Sequence, residues 1–147
     1  MIETEYSAIV GGIWNVVGDG SNHSFIGDGY NNTIIDNSEY SFIGNGYNTT
    51  ITSRFGFIGC GYNNQIGEAS QYSFIGNGYG NSLGDTSTYC AIASGYYNSI
   101  GDTSYNSFIG SGWYNTIGNH SYYSAICGGY EKTIGNHSNS AFIGTVG

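Results

Sequence analysis

Apolar residues recur along this chain at one fixed interval, embedded among small polar residues. An isoleucine preceded by Ser-Phe, Ser-Ala or a similar pair returns every 17 residues, with a single interval of 15 between Ile43 and Ile58. A period this strict is typical of a solenoid, in which each repeat forms one coil and equivalent residues stack along the axis. This first isoleucine column consists of Ile9, Ile26, Ile43, Ile58, Ile75, Ile92, Ile109, Ile126 and Ile143.

A second apolar column follows eight residues after the first, from Val17 to Ile134. Two short apolar segments per repeat, separated by Gly, Asn and Ser, predict two short strands per coil. The interval of 15 loses two residues, which preserves strand alternation and therefore indicates a shortened turn. The sequence predicts one all-β domain over residues 1–147, a parallel β-solenoid or β-roll of about nine coils without capping elements.

Small polar residues fill other columns of the repeat. A Gly three residues after the first Ile is expected to mark the corner between the two strands, because Gly tolerates positive φ and close backbone approach. A Ser two residues before that Ile is expected to face inward with it. Stacked inward amides can bond to one another along the axis. An amide ladder is therefore predicted for the Asn column, with Asn15, Asn32, Asn64, Asn81, Asn98 and Asn115.

Large aromatic residues form further columns. The residue before the first Ile points outward if that Ile points inward, so a phenylalanine column and a tyrosine column two residues earlier predict an exposed contact surface. The alternative is that the phenylalanines lie inside and the serines outside. A third column, from Tyr30 to Tyr130, is expected to form a stacked ladder past the Gly corner. The predicted interface residues are Phe25, Phe42, Phe57, Phe74, Phe108, Phe142, Tyr40, Tyr72, Tyr89 and Tyr123.

Composition and charge exclude several classes of protein. The chain is 39% hydrophobic, but its 15 Tyr, 7 Phe and absence of Pro are unlike a disordered segment. Its formal net charge is −8, with Arg54 and Lys132 as the basic residues, so nucleic acid and anionic membranes are not expected partners. No apolar run is long enough for membrane insertion, and residues 1–5 lack the features of a signal peptide.

Candidate chemistry is sparse. Glu68, Asp85 and Asp102 occupy one turn position of consecutive coils, where stacked carboxylates are either solvated or bridged by a cation such as Ca²⁺. His120 and His137 are also stacked neighbours, but two histidines alone indicate surface residues more than a metal site. The three cysteines are interpreted as small packed residues. No arrangement resembles a nucleophile with its base, so the chain is predicted to be a non-enzyme without cofactors.

One stretch of the repeat, residues 115–128, has a pattern similar to that of other repeat proteins: Asn-Thr-Ile-Gly-x-x-Ser-x-x-Ser-Ala-Ile-x-Gly. It resembles the head repeats of trimeric autotransporter adhesins and the repeats of related bacterial and phage fibre proteins. The resemblance implies a left-handed parallel β-roll and an extracellular, cell-surface or virion-surface location. It also implies that the chain works as a homotrimer binding a surface or a glycan.

Three functions follow as hypotheses. The first and last residues, Met1 and Gly147, fall at positions that nearly continue one coil into another, so copies are expected to stack end to end into a fibre, as unpaired strands template association. Copies are also expected to associate side by side through the aromatic columns, instead of or in addition to end-to-end stacking, in the same structural, self-assembling role. The alternative is a trimeric adhesin or phage-fibre head. A third is an ice-binding solenoid, which would use the outer residues of the second strand.

Overall fold

The structure is a computed structural model that describes residues 4–144, and these residues form a parallel β-solenoid with two sheets and no helix. Strands of the first sheet begin at the residue before each first-column Ile, and strands of the second sheet contain the second apolar column. The first sheet contains β1 (Ala8–Ile9), β3 (Phe25–Tyr30), β5 (Phe42–Tyr47), β7 (Phe57–Tyr62), β9 (Phe74–Ile75), β11 (Ala91–Ile92), β13 (Phe108–Ile109), β15 (Ala125–Ile126) and β17 (Phe142–Ile143). The second contains β2 (Val16–Val17), β4 (Thr33–Ile34), β6 (Thr50–Ile51), β8 (Gln65–Ile66), β10 (Ser82–Leu83), β12 (Ser99–Ile100), β14 (Thr116–Ile117) and β16 (Thr133–Ile134).

Equivalent residues of successive coils lie side by side, as the period predicts. Ile92 pairs with Ile75 on one side and with Ile109 on the other. In the shortened coil, Phe42 pairs with Phe57 although only 15 residues separate them, because the two missing residues belong to the turn before Phe57. The predicted fold class is therefore confirmed: an all-β parallel solenoid with about 17 residues and two short strands per coil.

The core is one isoleucine wide in each sheet. Side chains of the first and second apolar columns meet in the interior, where those from Ile26 to Ile126 are fully buried. Ile9 and Ile143, at the two ends of the described residues, are partly buried against this core. Burial of an Ile side chain stabilises the fold by about 2 kcal/mol relative to leaving it exposed. Because a single coil cannot bury its isoleucines alone, this stabilisation depends on the stacking of coils.

Each complete coil turns at three residues with left-handed backbone conformation, most of which are not Gly. In the coil of Ile92 these are Tyr89, Tyr97 and Thr103, with φ of 58°, 52° and 56°. Their backbone N–H groups donate to carbonyl oxygens of the preceding coil, on Gln71, Tyr79 and Asp85. The shortened coil lacks the turn residues equivalent to Asp36 and Asn37. The pattern of residue types does not predict these corners.

The Gly column does not mark the corner, which corrects the sequence-based expectation. Gly29 lies inside strand β3, and the left-handed corner residue is Asn31, two positions later. Gly95 shows why glycine is needed in this column: its φ is +119°, and a Cβ there would lie 2.3 Å from the carbonyl oxygen of Gly112. Close packing of consecutive coils thus requires Gly.

Buried polar side chains follow the corners and join each coil to the next. The Asn98 side chain donates to the carbonyl oxygens of Ser94 and Gly112 and accepts from the N–H of Asn115. Direct amide–amide bonds, as predicted for the ladder, occur between Asn32 and Asn15 and between Asn81 and Asn64. Most bonds of the column run instead to backbone groups. A second inward Ser column, not predicted, consists of Ser21, Ser38, Ser53, Ser70, Ser87, Ser104 and Ser121.

Candidate interaction surface

The phenylalanine column lies on the outer face of the first sheet. Ser24, Ser41, Ser73, Ser107 and Ser124 are buried, so the alternative with phenylalanines inside is wrong. Phe25, Phe42, Phe57 and Phe74 form one continuous stack, with ring centroids 4.9 to 5.2 Å apart and planes within 14° of parallel. These separations are within the range of favourable aromatic pairs. The stack presents ring edges to the outside.

The column then alternates between large and small residues. Ala91 lies between Phe74 and Phe108, and Ala125 lies between Phe108 and Phe142. Phe108 is 41% exposed, close to the 39% of Phe74, and Phe142, in the last described coil, is 70% exposed. This half of the column is a row of isolated rings instead of a closed stack.

Ring size in this column is coupled to the residue two positions later. Each phenylalanine ring leans over a Gly, and a Cβ added at Gly76 or Gly110 would lie 3.2 or 3.4 Å from the ring. Where the column has Ala8, Ala91 or Ala125, that Gly is replaced by Val10, Ala93 or Cys127. The repeat therefore has two coil types, one with Phe over Gly and one with Ala beside a larger residue.

The tyrosine column lies at a corner instead of on the strand, so its outward direction does not come from strand alternation. Tyr40, Tyr72, Tyr89 and Tyr123 all have positive φ. Tyr6, His23, Tyr40, Phe55, Tyr72 and Tyr89 form a continuous stack with centroid separations of 4.7 to 5.1 Å. His23, which was not among the predicted members of the column, completes this stack. Tyr89 and Tyr123 are 58% and 67% exposed, which fits a contact surface.

The third aromatic column is a stacked ladder from Tyr30 to Tyr96, as predicted, with separations of 4.7 to 5.0 Å. Beyond Tyr96 it opens into a shallow groove of about 460 Å³ lined by Tyr96, Trp113, Tyr114 and Tyr130. Desolvation, followed by the neighbouring Tyr114 phenol, raises the pKa of Tyr96.

The acidic turn column is held by backbone hydrogen bonds. The Asp85 carboxylate accepts from the N–H of Glu68, and the Asp102 carboxylate accepts from the N–H of Asp85. Consecutive stacking is as expected, but residues 4–144 contain no group of three or more His, Cys, Asp or Glu placed to hold a metal ion. The His120 and His137 rings stack 5.0 Å apart.

The cysteines occupy two kinds of environment, which corrects their common interpretation as packed residues. Cys90 is buried in the inward Ser column, and desolvation raises the pKa of its thiol to about 11. Cys60 and Cys127 are exposed. Their thiols are accessible probes of two separate places on the first sheet.

The shortened coil leaves a notch of about 310 Å³ in the acidic turn column, lined by residues that include Asp36, Arg54 and Glu68. Arg54 pairs with Glu39 beside it. Membrane-spanning helices are absent from the part of the chain that the structure describes. No protein-family model matches this chain, and no curated protein sequence matches it.

Proposed function

We propose that this chain is a structural, non-enzymatic solenoid that self-assembles into fibres at a cell or virion surface, by end-to-end stacking, lateral association, or both. The observation that carries the proposal is the pair of exposed aromatic columns on and beside the first sheet. Aromatic residues with large exposed fractions recur on consecutive coils, from Tyr40 and Phe57 to Tyr123 and Phe142. Stripes of this kind mark contact surfaces.

Lateral contact would bury ring edges that a single chain leaves in water. Phe57, Phe74 and Phe108 are 37 to 41% exposed, although each belongs to a rigid strand of the first sheet. Aromatic side chains fixed by backbone pairing lose little conformational entropy on association. These columns therefore favour binding to another ordered surface, and a second copy of the chain supplies one.

End-to-end contact is supported by the uniform register of both sheets. Within residues 4–144, β1 and β17 pair on one side only in the first sheet, and so do β2 and β16 in the second. Edge strands with free backbone groups template further pairing. Residues 1–3 and 145–147, which take part in the expected join, lie outside the described residues.

The test is electron microscopy together with sedimentation velocity of the purified protein across a range of concentrations. Fibres or concentration-dependent oligomers are expected. The double variant Phe74→Ser and Phe108→Ser should weaken lateral association while leaving each coil folded by circular dichroism. A matched control is Thr33→Ser with Thr50→Ser, on the outer side of the second sheet. A short, monodisperse particle at all concentrations would contradict the proposal.

The adhesin or phage-fibre head is a second proposal, favoured by the aromatic groove. Sugars bind proteins by stacking their C–H groups on the faces of aromatic rings, and Trp113, which is 59% exposed and lines the groove, would supply such a face. Trp113→Ala should abolish glycan binding in a glycan array or in fluorescence titration. Trp14→Ala, at an exposed tryptophan outside the groove, is the control. A homotrimer by sedimentation would support this role over a fibre.

A further inference from the structure

We propose that two copies of this chain pair face to face with antiparallel axes, so that Phe108 and Phe142 of each copy enter slots over Ala125 and Ala91 of the other. This inference rests on the lateral part of the proposed function and defines its register. The occupant of the slots is a second copy, because the chain carries rings and slots of matching spacing on the same surface.

Each slot is one coil high. Ala91 pairs with both Phe74 and Phe108, and Ala125 pairs with both Phe108 and Phe142. Strands lie about 4.8 Å apart, so the phenylalanine rings on either side of an alanine are about 9.6 Å apart. A ring inserted midway lies about 4.8 Å from each neighbour, within the range for favourable aromatic pairs. The unbroken part of the column, where Phe57 and Phe74 lie 5.1 Å apart, has the same spacing.

Small side chains form the floor of each slot. Ala91 and Ala93 line the first, and Ala125 and Cys127 line the second, since these coils lack the Phe-over-Gly arrangement. Ala91, Ala93 and Ala125 are half-buried, and Cys127 is exposed. The floor is therefore apolar and reachable from outside, and the Cys127 thiol reports whether the slot is filled.

Only one register fills both slots without collision. With antiparallel axes and the coil of Phe108 opposite the partner coil of Ala125, the coil of Phe142 lies opposite that of Ala91. The rings then alternate between the copies, in the order Phe74, the second copy's Phe142, Phe108, the second copy's Phe108, Phe142. Every other register that fills both slots, parallel or antiparallel, sets a phenylalanine ring of one copy against one of the other at the same height.

Charge restricts pairing to this half of the molecule. The chain carries a net charge of −8, so copies repel one another at most approaches. In the first four coils, the segment around the first-column Ile contains Glu5, Asp28, Glu39 or Arg54. The same segment in the last five coils, residues 71–78, 88–95, 105–112, 122–129 and 139–144, contains no Asp, Glu, Lys, Arg or His. The slots lie inside this uncharged surface.

The decisive variant fills one slot with the phenylalanine ring that neighbouring coils carry at the same position. Ala91→Phe with Ala93→Gly converts one coil to the Phe-over-Gly type of its neighbours and closes the first slot with an added stacked ring. The matched control, Ala8→Phe with Val10→Gly, makes the same conversion in the first coil, outside the paired region. Sedimentation equilibrium should show dimer affinity at least tenfold weaker for the slot variant and unchanged for the control. Circular dichroism should show both folded.

Thiol labelling gives a second measurement on the unmodified protein. As concentration rises through the dimerisation range, the labelling rate of Cys127 should fall at least tenfold, while Cys60 should react at a constant rate. Equal affinity in the slot variant, loss of affinity in the control, or oligomers whose Cys127 stays reactive would each overturn the pairing and leave self-assembly by other contacts standing. Monomers at all concentrations would overturn the proposed function as well.

Discussion

At the scale of single residues, buried polar side chains connect each coil to the next through hydrogen bonds. Asn98 is fully buried and bonds to its own coil and to the following one. A buried polar group left without a partner costs about 1–3 kcal/mol, so these side chains enforce the stacking register as well as stabilising it. Asn, Ser and Gly are small enough to sit beside a one-isoleucine core.

Asn98→Ala should lower the free energy of unfolding by about 3 kcal/mol, because it leaves the N–H of Asn115 without its partner and removes the amide donor from the carbonyls of Ser94 and Gly112. Asn77→Ala, at an exposed asparagine of the preceding coil, should change it by less than about 0.5 kcal/mol. Urea denaturation of both variants checks this. Equal effects would mean that the buried amides contribute no more than surface ones.

Cys90→Ser should remove a pH dependence of stability. The pKa of the Cys90 thiol is raised from 9.0 to about 11, so its contribution is fully present below pH 9 and is lost as pH rises toward 11. Between pH 8 and 11 the wild type should lose about 2 kcal/mol of stability relative to the variant. All other titratable groups are common to the two proteins, so the difference between their stability curves isolates the contribution of position 90. Parallel stability curves for the two proteins would contradict the prediction.

At the scale of elements, the coil depends on its corners more than on its strands. Most strands are two residues long, and the three left-handed residues turn the chain between them. Most corners are followed directly by an inward polar residue, as in Tyr97-Asn98 and Thr103-Ser104. In the sequence, each inward Ser or Asn can be recognised by its fixed position in the repeat, and in most cases the corner residue is the one directly before it. This pairing could not be interpreted without the structure, because bulky or β-branched residues such as Tyr and Thr do not favour positive φ.

Thr103→Gly should raise the free energy of unfolding by about 0.5–1 kcal/mol, since a β-branched residue at φ 56° is strained and Gly is not. Thr116→Gly, within strand β14, should lower it by about 1 kcal/mol, because Gly weakens a strand. Thermal melts of the two variants test the opposite signs. A loss of stability at both positions would show that the corner strain is absent.

At the scale of the whole molecule, aromatic attraction and charge repulsion oppose one another. The stacked columns favour association, while a net charge of −8 keeps copies apart. The balance differs along the axis, because the uncharged segments of the first sheet coincide with the coils whose phenylalanine column is open. Association is therefore expected to begin there.

Raising the salt concentration from about 10 mM to about 0.5 M should strengthen self-association at least tenfold, because the screening length falls from about 30 Å to a few Å. Sedimentation velocity across the salt series measures the change. Weaker association in high salt would indicate an interface held by ion pairs, which the uncharged surface does not predict. Phe74→Ser with Phe108→Ser should reduce the salt dependence of self-association. Salt weakens the repulsion between copies, but this variant lacks the aromatic attraction that would then hold them together.

Of the candidate surface, the sequence predicted the members of the aromatic columns but not their detailed geometry. Strand alternation placed Phe74 and Phe108 outside, and the structure confirms this. The same reasoning placed Tyr72 and Tyr89 on the strand, and they lie at a corner. The sequence shows that Ala91 and Ala125 interrupt the phenylalanine column. Interpreting them as slots requires the structure, which shows that the column faces outward and that its rings lean over glycines.

The sequence by itself determined the fold class, the coil length and the stacking partners, because a strict period leaves one register in which every Ile lies over an Ile. The tertiary structure alone decided where the chain turns, that a second Ser column lies inside, and which aromatic rings remain uncovered. Those features depend on backbone conformation and on contacts between coils, which a periodic pattern of residue types does not specify.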